Sequence, residues 1–323
     1  MMTQPMSTPL PTDVIDALRQ LLTLIRLPPA ELVCAGQQGP ADTIDDAALD
    51  AMTSWLYAHW YTEDASQGVT AALPGRANLA SALAVTVASS GTWESGWIVL
   101  QSAPSGECIA GNRTVTRHLL PGRYANLARP GIAPQPGDGL AVSTLLDWVD
   151  ERTGFWHMQS SAGEPSHPLM RVYWNVDWPQ VGRLLERLTD ALDGAAIRYA
   201  LKCPFRSADY RRIDTLVVYV ERAMWAAAEP AIGRVAHEFE HTLRKPTPPL
   251  TRPIGPGVSW AEDPGGAASF GESRCRALAP AVLALIRDLE NWPEDTGLQR
   301  LMLSLRNATI DPSQPWLAAP PLS

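Results

Sequence analysis

Lysine is nearly missing from this chain: of 26 basic residues only Lys202 and Lys245 are lysines, and the other 24 are arginines. Genomic base composition accounts for most of that bias. It does not account for a lysine at 202, and lysine is the basic side chain whose pKa is most readily brought down so that it can act as a base. Long apolar runs are lacking too, with none near the ~20 residues that a membrane span needs. Cysteine is scarce: Cys34, Cys108, Cys203 and Cys275 lie far apart, with no C-x-x-C. That spacing argues against a thiolate zinc site and reads as reduced, mostly buried thiols of a cytoplasmic protein. Nor is there an excess of positive charge. Against 34 acidic residues the formal net charge is −8, which speaks against nucleic acid or a membrane surface as partner.

What is present fits a chain with room for two domains or one enlarged one. The stretch before residue 30 lacks a basic n-region, and apolar residues at 14, 15, 18, 21, 22 and 25 follow helical period, so an amphipathic packing helix over 12–27 is predicted. A second helix is predicted over 46–61. Gly- and Pro-punctuated strands follow in "GTWESGWIVLQ", "GECIAGN" and "RTVTRHLLPGRY". Trp55, Trp60, Tyr61, Trp93 and Trp97 are expected in the core of this part. The Ser/Gly/Pro-rich "SSAGEPSHP" at 160–168 reads as a boundary, dividing the chain into an accessory region, 1–165, suited to peptide docking, and a second domain, 166–323.

The second half opens with "LMRVYWNV", an alternating strand with Arg171, Tyr173 and Asn175 on one face. A helix is predicted over 179–193. Next come "AIRYALKC", with Arg198, Ala200 and Lys202 sharing a face, and the very apolar "YRRIDTLVVYVE", expected to be central. From Pro246 to Gly271 no periodicity holds, among six Pro and five Gly, and the stretch reads as an ordered site loop. A helix near 276–291 and a Pro-rich tail close the chain. The fold class expected is α+β.

Two constellations compete for the chemistry. "HEFEH" at 237–241 matches H-E-x-x-H, in which two His one turn apart hold zinc. On a helix over 232–243, however, His237 and His241 fall opposite the apolar stripe of Ile232, Val235, Phe239 and Leu243. A third ligand would have to come from Glu262 or Glu272, so a solvated helix face is the expectation and no metal is assigned. The other set is Arg171 and Tyr173, Lys202, Arg211, Arg212 and Tyr219, with Arg252 and Arg274 bracketing the loop. Converging guanidiniums suit phosphate, because their planar fork donates to two oxygens at once.

The blocks "PGRYANLARPGIAPQPGD", "TGFWH", "MRVYWNV", "YALKCP", "YRRIDTLVVYV", "PPLTRPIGPGV" and "WAEDPGGAASFGESRCR" jointly resemble the HopA-type family. That family includes type III secreted effectors and the separate lyase proteins of class V lanthipeptide and thioamitide clusters. The resemblance covers roughly residues 90–280. It implies a C-terminal half similar to the phosphothreonine lyases, a phosphorylated precursor peptide as substrate, and a kinase-like phosphotransferase as partner. Lys202 matches the catalytic lysine of those lyases and Arg171 a first-strand lysine, while Tyr173 falls where they carry a histidine. Arg274 matches a phosphate-binding arginine, with Arg212 and Tyr219 aligned more loosely. Elimination needs a base near neutral pKa, which a lysine among arginines approaches because its charged form is disfavoured. It also needs prepositioned donors for the developing negative charge, which Arg171, Arg212, Arg252 and Arg274 supply. No cofactor is called for. A HopA-like effector or a phosphopeptide-binding module without catalysis is the alternative, favoured by the missing histidine and the polar start "MMTQPMSTPLPT".

Overall fold

A computed structural model describes residues 10–26, 45–63, 79–87, 93–144, 146–288 and 292–318; Cys34 and most of the polar start lie outside them. The fold is α+β, with two antiparallel sheets and helices. Its contacts group the chain into two compact units, one from 1–63, 247–253 and 259–323, the other from 64–246 and 254–258.

The first unit is helical. Helix α1 (Thr12–Ile25) buries Val14, Leu18, Leu21, Leu22 and Ile25 on one stripe. Helix α2 (Asp46–Leu56) starts where the Asp45 carboxylate accepts from the Ala48 amide, and it runs into a π turn at Tyr57–Tyr61. Helices α6 (Phe270–Arg287) and α7 (Glu294–Asn307) complete it, α6 packing on both α2 and α7, and α7 on α1. A Ser269/Glu272 capping box fixes the start of α6. At its second residue, Gly271, an added Cβ would sit 2.3 Å from the Tyr61 ring, so the helices meet only because that residue is glycine.

The second unit holds helix α3 (Ala80–Thr86) and two sheets. One is formed by β1 (Trp93–Ser102), β2 (Cys108–Gly111), β3 (Thr116–Leu119), β4 (Tyr124–Asn126) and β5 (Gly139–Ser143), in the order β3-β2-β1-β5-β4. Its inner face is Trp97, Val99, Cys108, Ala110, Leu119, Leu140 and Val142. Trp60, Tyr61 and Trp97 are buried as expected, whereas Trp93 is exposed and Trp55 only partly covered.

The other sheet carries, within this unit, β6 (Leu146–Asp150), β7 (Phe155–Gln159), β9 (Tyr199–Pro204), β10 (Leu216–Glu221) and β8 (Leu169–Trp174), neighbours in that order. The apolar β10 has a strand on each side, as its composition predicts. One face is closed by Trp156, Met158, Met170, Val172, Trp174, Leu201, Cys203, Leu216, Val218 and Val220, all buried. Helices α4 (Trp178–Gly194) and α5 (Trp225–Phe239) pack together, and α5 reaches β10. Asp147 on β6 is buried on the same closed face, where Arg123 Nε stands 2.8 Å from one carboxylate oxygen and Trp156 Nε1 donates to the other at 3.0 Å.

Three expectations change. Strands β6 and β7 pair into the same sheet as β9, so a cut at 165 runs between strands of one sheet. The 160–168 segment is tied down as well: Ser160 Oγ donates to Gly163 O, and Ser166 donates from both its amide and hydroxyl to Glu221. The 246–271 stretch contains two short strands, β11 (Arg252–Gly255) and β12 (Val258–Glu262), the second buried throughout. They turn at Gly257, φ +69°, where a Cβ would fall 2.1 Å from Arg244 O. Finally, α7 lies within what reads from sequence as the tail.

Candidate active site

Paired residues of antiparallel strands point to one side of a sheet, so the register of the second unit's sheet fixes which side chains meet. One transverse row is Tyr173, Val217, Lys202, His157 and Trp148, on β8, β10, β9, β7 and β6. The next contains Arg171, Tyr219, Ala200 and Gln159. This is the face opposite the closed one. Along β7 and β9 its residues are half-buried, alternating with buried neighbours, which is the signature of an accessible face on a packed sheet.

Aromatic rings line that face and cations lie over them. Lys202 Nζ is 4.7 Å from the Phe155 ring centroid, Arg212 Cζ is 5.6 Å from the same centroid, and Arg171 Cζ is 5.4 Å from the Tyr219 ring. Trp148 stacks on His157 with centroids 5.0 Å apart and planes 5° from parallel. Burial pushes the His157 pKa down to about 4, the Lys202 charge across the strand pair pushes it the same way, and Asp150 opposes both. The imidazole beside Lys202 is therefore neutral at neutral pH. Arg212 is held through Nε and Nη2 by Asp214, at 2.7 and 2.8 Å, which fixes the plane of its guanidinium. Arg198 is held by Glu221 at 2.6 Å, so its guanidinium is paired with a carboxylate.

The register thus puts Lys202, Arg171, Tyr219 and Tyr173 on one face, and Arg212 joins Lys202 at Phe155. Tyr173 shares the row of Lys202, but Val217 stands between them and Tyr173 is only 3 % exposed. His157, directly paired with Lys202, is absent from the sequence-derived set. Its signal was the alternation in "FWH", which sets Phe155 and His157 on one side of a strand; which strand neighbours β9 was not visible.

The remaining two arginines belong to the first unit. Arg252 is exposed, its Cζ 5.6 Å from the rings of both Trp260 and Trp316. Arg274 is expected to bind phosphate, yet it is 1 % exposed and its guanidinium donates to Pro315 O at 2.7 Å and Leu317 O at 2.6 Å while lying over Phe270. Those contacts make it an anchor for the C-terminal segment.

At the H-E-x-x-H, α5 ends at Phe239, so His241 is off the helix, and the two imidazoles are 82 % and 92 % exposed, each beside Glu240. Among the described residues no three His, Cys, Asp or Glu side chains gather as a metal set. Cys108 and Cys203 are buried free thiols with pKa values raised by desolvation to about 11 and about 12; Cys275 is buried and raised further. No described helix is long and apolar enough to cross a membrane.

The model of the HopA1 effector protein family matches residues 151–317, slightly more than half of the chain and all of this face except Trp148 on β6. The chain belongs to the HopA1 effector protein family. Two solved structures are similar to it: the effector protein from Pseudomonas syringae pv. tomato strain DC3000, at 20 % identity and TM-score 0.39, and that from Pseudomonas syringae pv. syringae strain 61, at 18 % and 0.39. Each match covers 53 % of this chain and 66 % of the other, just under two thirds of the effectors' length. No curated protein sequence matches the chain.

Proposed function

We propose that this HopA1-family protein is a cofactor-independent phosphoserine/phosphothreonine lyase that eliminates phosphate from a phosphorylated precursor peptide. The products would be dehydroalanine or dehydrobutyrine, as in class V lanthipeptide-type biosynthesis, with a kinase-like phosphotransferase supplying the phosphopeptide. The observation that carries the reading is the position of Lys202. One of two lysines in the chain, it stands on the accessible sheet face beside a neutral imidazole, with Arg212 sharing its aromatic ring and Arg171 one row away.

In this reading neutral Lys202 Nζ takes the α-proton of the phosphorylated residue. The released electron pair forms the Cα–Cβ double bond as the Cβ–O bond breaks, and the phosphate leaves with that bond's electrons. No water is consumed, and Lys202 returns its proton to solvent. Arg171 and Arg212 hold the phosphate, with Tyr219 orienting Arg171, and Arg252 on its tryptophan platform is a further substrate-binding arginine. A leaving phosphate whose charge is met by guanidiniums needs little help from an acid. Neutral His157 is a poor one, and Tyr173 is the remaining candidate for that role.

The family's effector members favour a second reading, in which the same face binds a phosphorylated partner without catalysis. Incubation with a phosphoserine peptide, followed by mass spectrometry, separates the two. The lyase reading expects loss of phosphoric acid and a product that adds a thiol; binding without mass change supports the second.

A further inference from the structure

The face just described continues, beyond Phe155, into a cavity of about 420 Å³, whose lining shares Arg212 with the elimination site but also holds arginines that the elimination does not use. Its lining includes four arginines, Arg152, Arg206, Arg211 and Arg212, against one acidic residue, Asp209. The sequence builds it locally. Between β9 and β10 the run Ser207–Arg211 makes a kinked 3-10 segment, broken at Tyr210 and pinned by buried Ser207 and Tyr210. Three basic side chains are thereby displayed around the turn, while the β6–β7 hairpin brings Arg152 from the other side.

Carboxylates outside the cavity lining hold two of these guanidiniums. Asp214 takes Nε and Nη2 of Arg212, and Glu151 takes Nη2 of Arg206 at 2.7 Å. A guanidinium carries five N–H donors, so Arg206, with Nη2 on Glu151, still has donors for an anion in the cavity. Arg211 is exposed at the rim.

We infer that this cavity is a second anion subsite, which takes another anionic side chain of the same peptide, a phosphate or a carboxylate. The inference rests on the lyase reading for the first site. Phe155 sets the spacing, because Lys202 Nζ and Arg212 Cζ stand 4.7 and 5.6 Å from its ring centroid and so lie within about 10 Å of each other. An extended peptide covers that distance in about three residues at ~3.3 Å each. The preferred substrate therefore carries its second anion up to about three residues from the residue that reacts. A multiply phosphorylated peptide, or one with interspersed Asp and Glu, meets that demand.

The test uses fluorescein-labelled peptides with one phosphoserine and, at each offset up to three residues on either side, a second phosphoserine, a Glu or an Ala. Affinity is read by anisotropy and elimination by phosphate release. At the favoured offset the second anion should tighten binding and lower KM by about tenfold or more, the range expected for a charge-assisted hydrogen bond. The Arg206→Ala/Arg211→Ala double variant should lose that gain while treating the Ala peptide as the wild type does. A gain with phosphoserine alone assigns the subsite to phosphate; an equal gain with Glu assigns it to acidic residues. Affinity indifferent to the second anion at every offset, or a gain that survives in the double variant, overturns the subsite. Anion-dependent binding without phosphate release leaves the subsite standing and removes the lyase reading instead.

Discussion

Replacing Lys202 with Met should change the titration of a residue on another strand. In the wild type His157 titrates at about 4 against an ordinary 6.5, through desolvation first and the Lys202 charge second. Removing the charge while leaving the burial should raise the His157 pKa by about one pH unit, on the order of 1.4 kcal/mol, yet leave it below 6.5. The depressed value also makes a stability statement. The unfolded chain takes up the His157 proton near 6.5 and the folded chain only near 4, so stability is full above pH 6.5 and falls as pH drops towards 4. The upper bound on the fall is about 3.4 kcal/mol, from the 1.36 kcal/mol per pKa unit of linkage, and solvent screening of a half-buried group brings it lower. NMR titration of the imidazole Cε1–H, assigned by the missing signal of His157→Gln, reads both wild type and variant. A His157 that titrates near 6.5, or one indifferent to Lys202→Met, refutes the half-buried Lys202–His157 juxtaposition on which the site is built.

Three further outcomes are expected. Arg274→Ala should lower stability by about 2–4 kcal/mol, since the Pro315 and Leu317 carbonyls lose a charged donor; thermal denaturation reads this, and an unchanged Tm with weakened phosphopeptide binding would return Arg274 to the substrate. Asp147→Ala should cost about 3–5 kcal/mol in urea unfolding, because Arg123, 1 % exposed, is left as an uncompensated buried charge; a loss under about 1 kcal/mol would contradict the pairing. Tyr173→Phe should keep elimination within about tenfold of wild type, whereas a drop of roughly 10²–10⁴ would identify Tyr173 as the general acid.

The strands of the second half were legible because their alternation is strong. "LMRVYWNV" sets Met, Val and Trp against Arg171, Tyr173 and Asn175, "AIRYALKC" sets Ile197, Tyr199 and Leu201 against Arg198, Ala200 and Lys202, and the register keeps Arg171, Tyr173 and Lys202 on one face. Partners across the sheet were not legible, because period two states which side a residue takes and not which strand lies beside it. His157 stayed out of view for that reason. Arg274 misled for another: a guanidinium looks the same in sequence whether it meets a phosphate or backbone carbonyls. Residues 252–262 read as loop because Pro253, Pro256 and two glycines mask two short strands. The division at 165 followed composition, whereas β6 and β7 reach across it to pair with β9.

The central claim is that Lys202 removes a proton, and Lys202→Arg tests it most directly. Arginine keeps the positive charge and nearly the reach, but does not give up its proton at neutral pH. With a phosphoserine peptide at saturating concentration, the variant should bind as the wild type does and release no phosphate, while the wild type yields dehydroalanine. Phosphate release at the wild-type rate by Lys202→Arg would contradict the account.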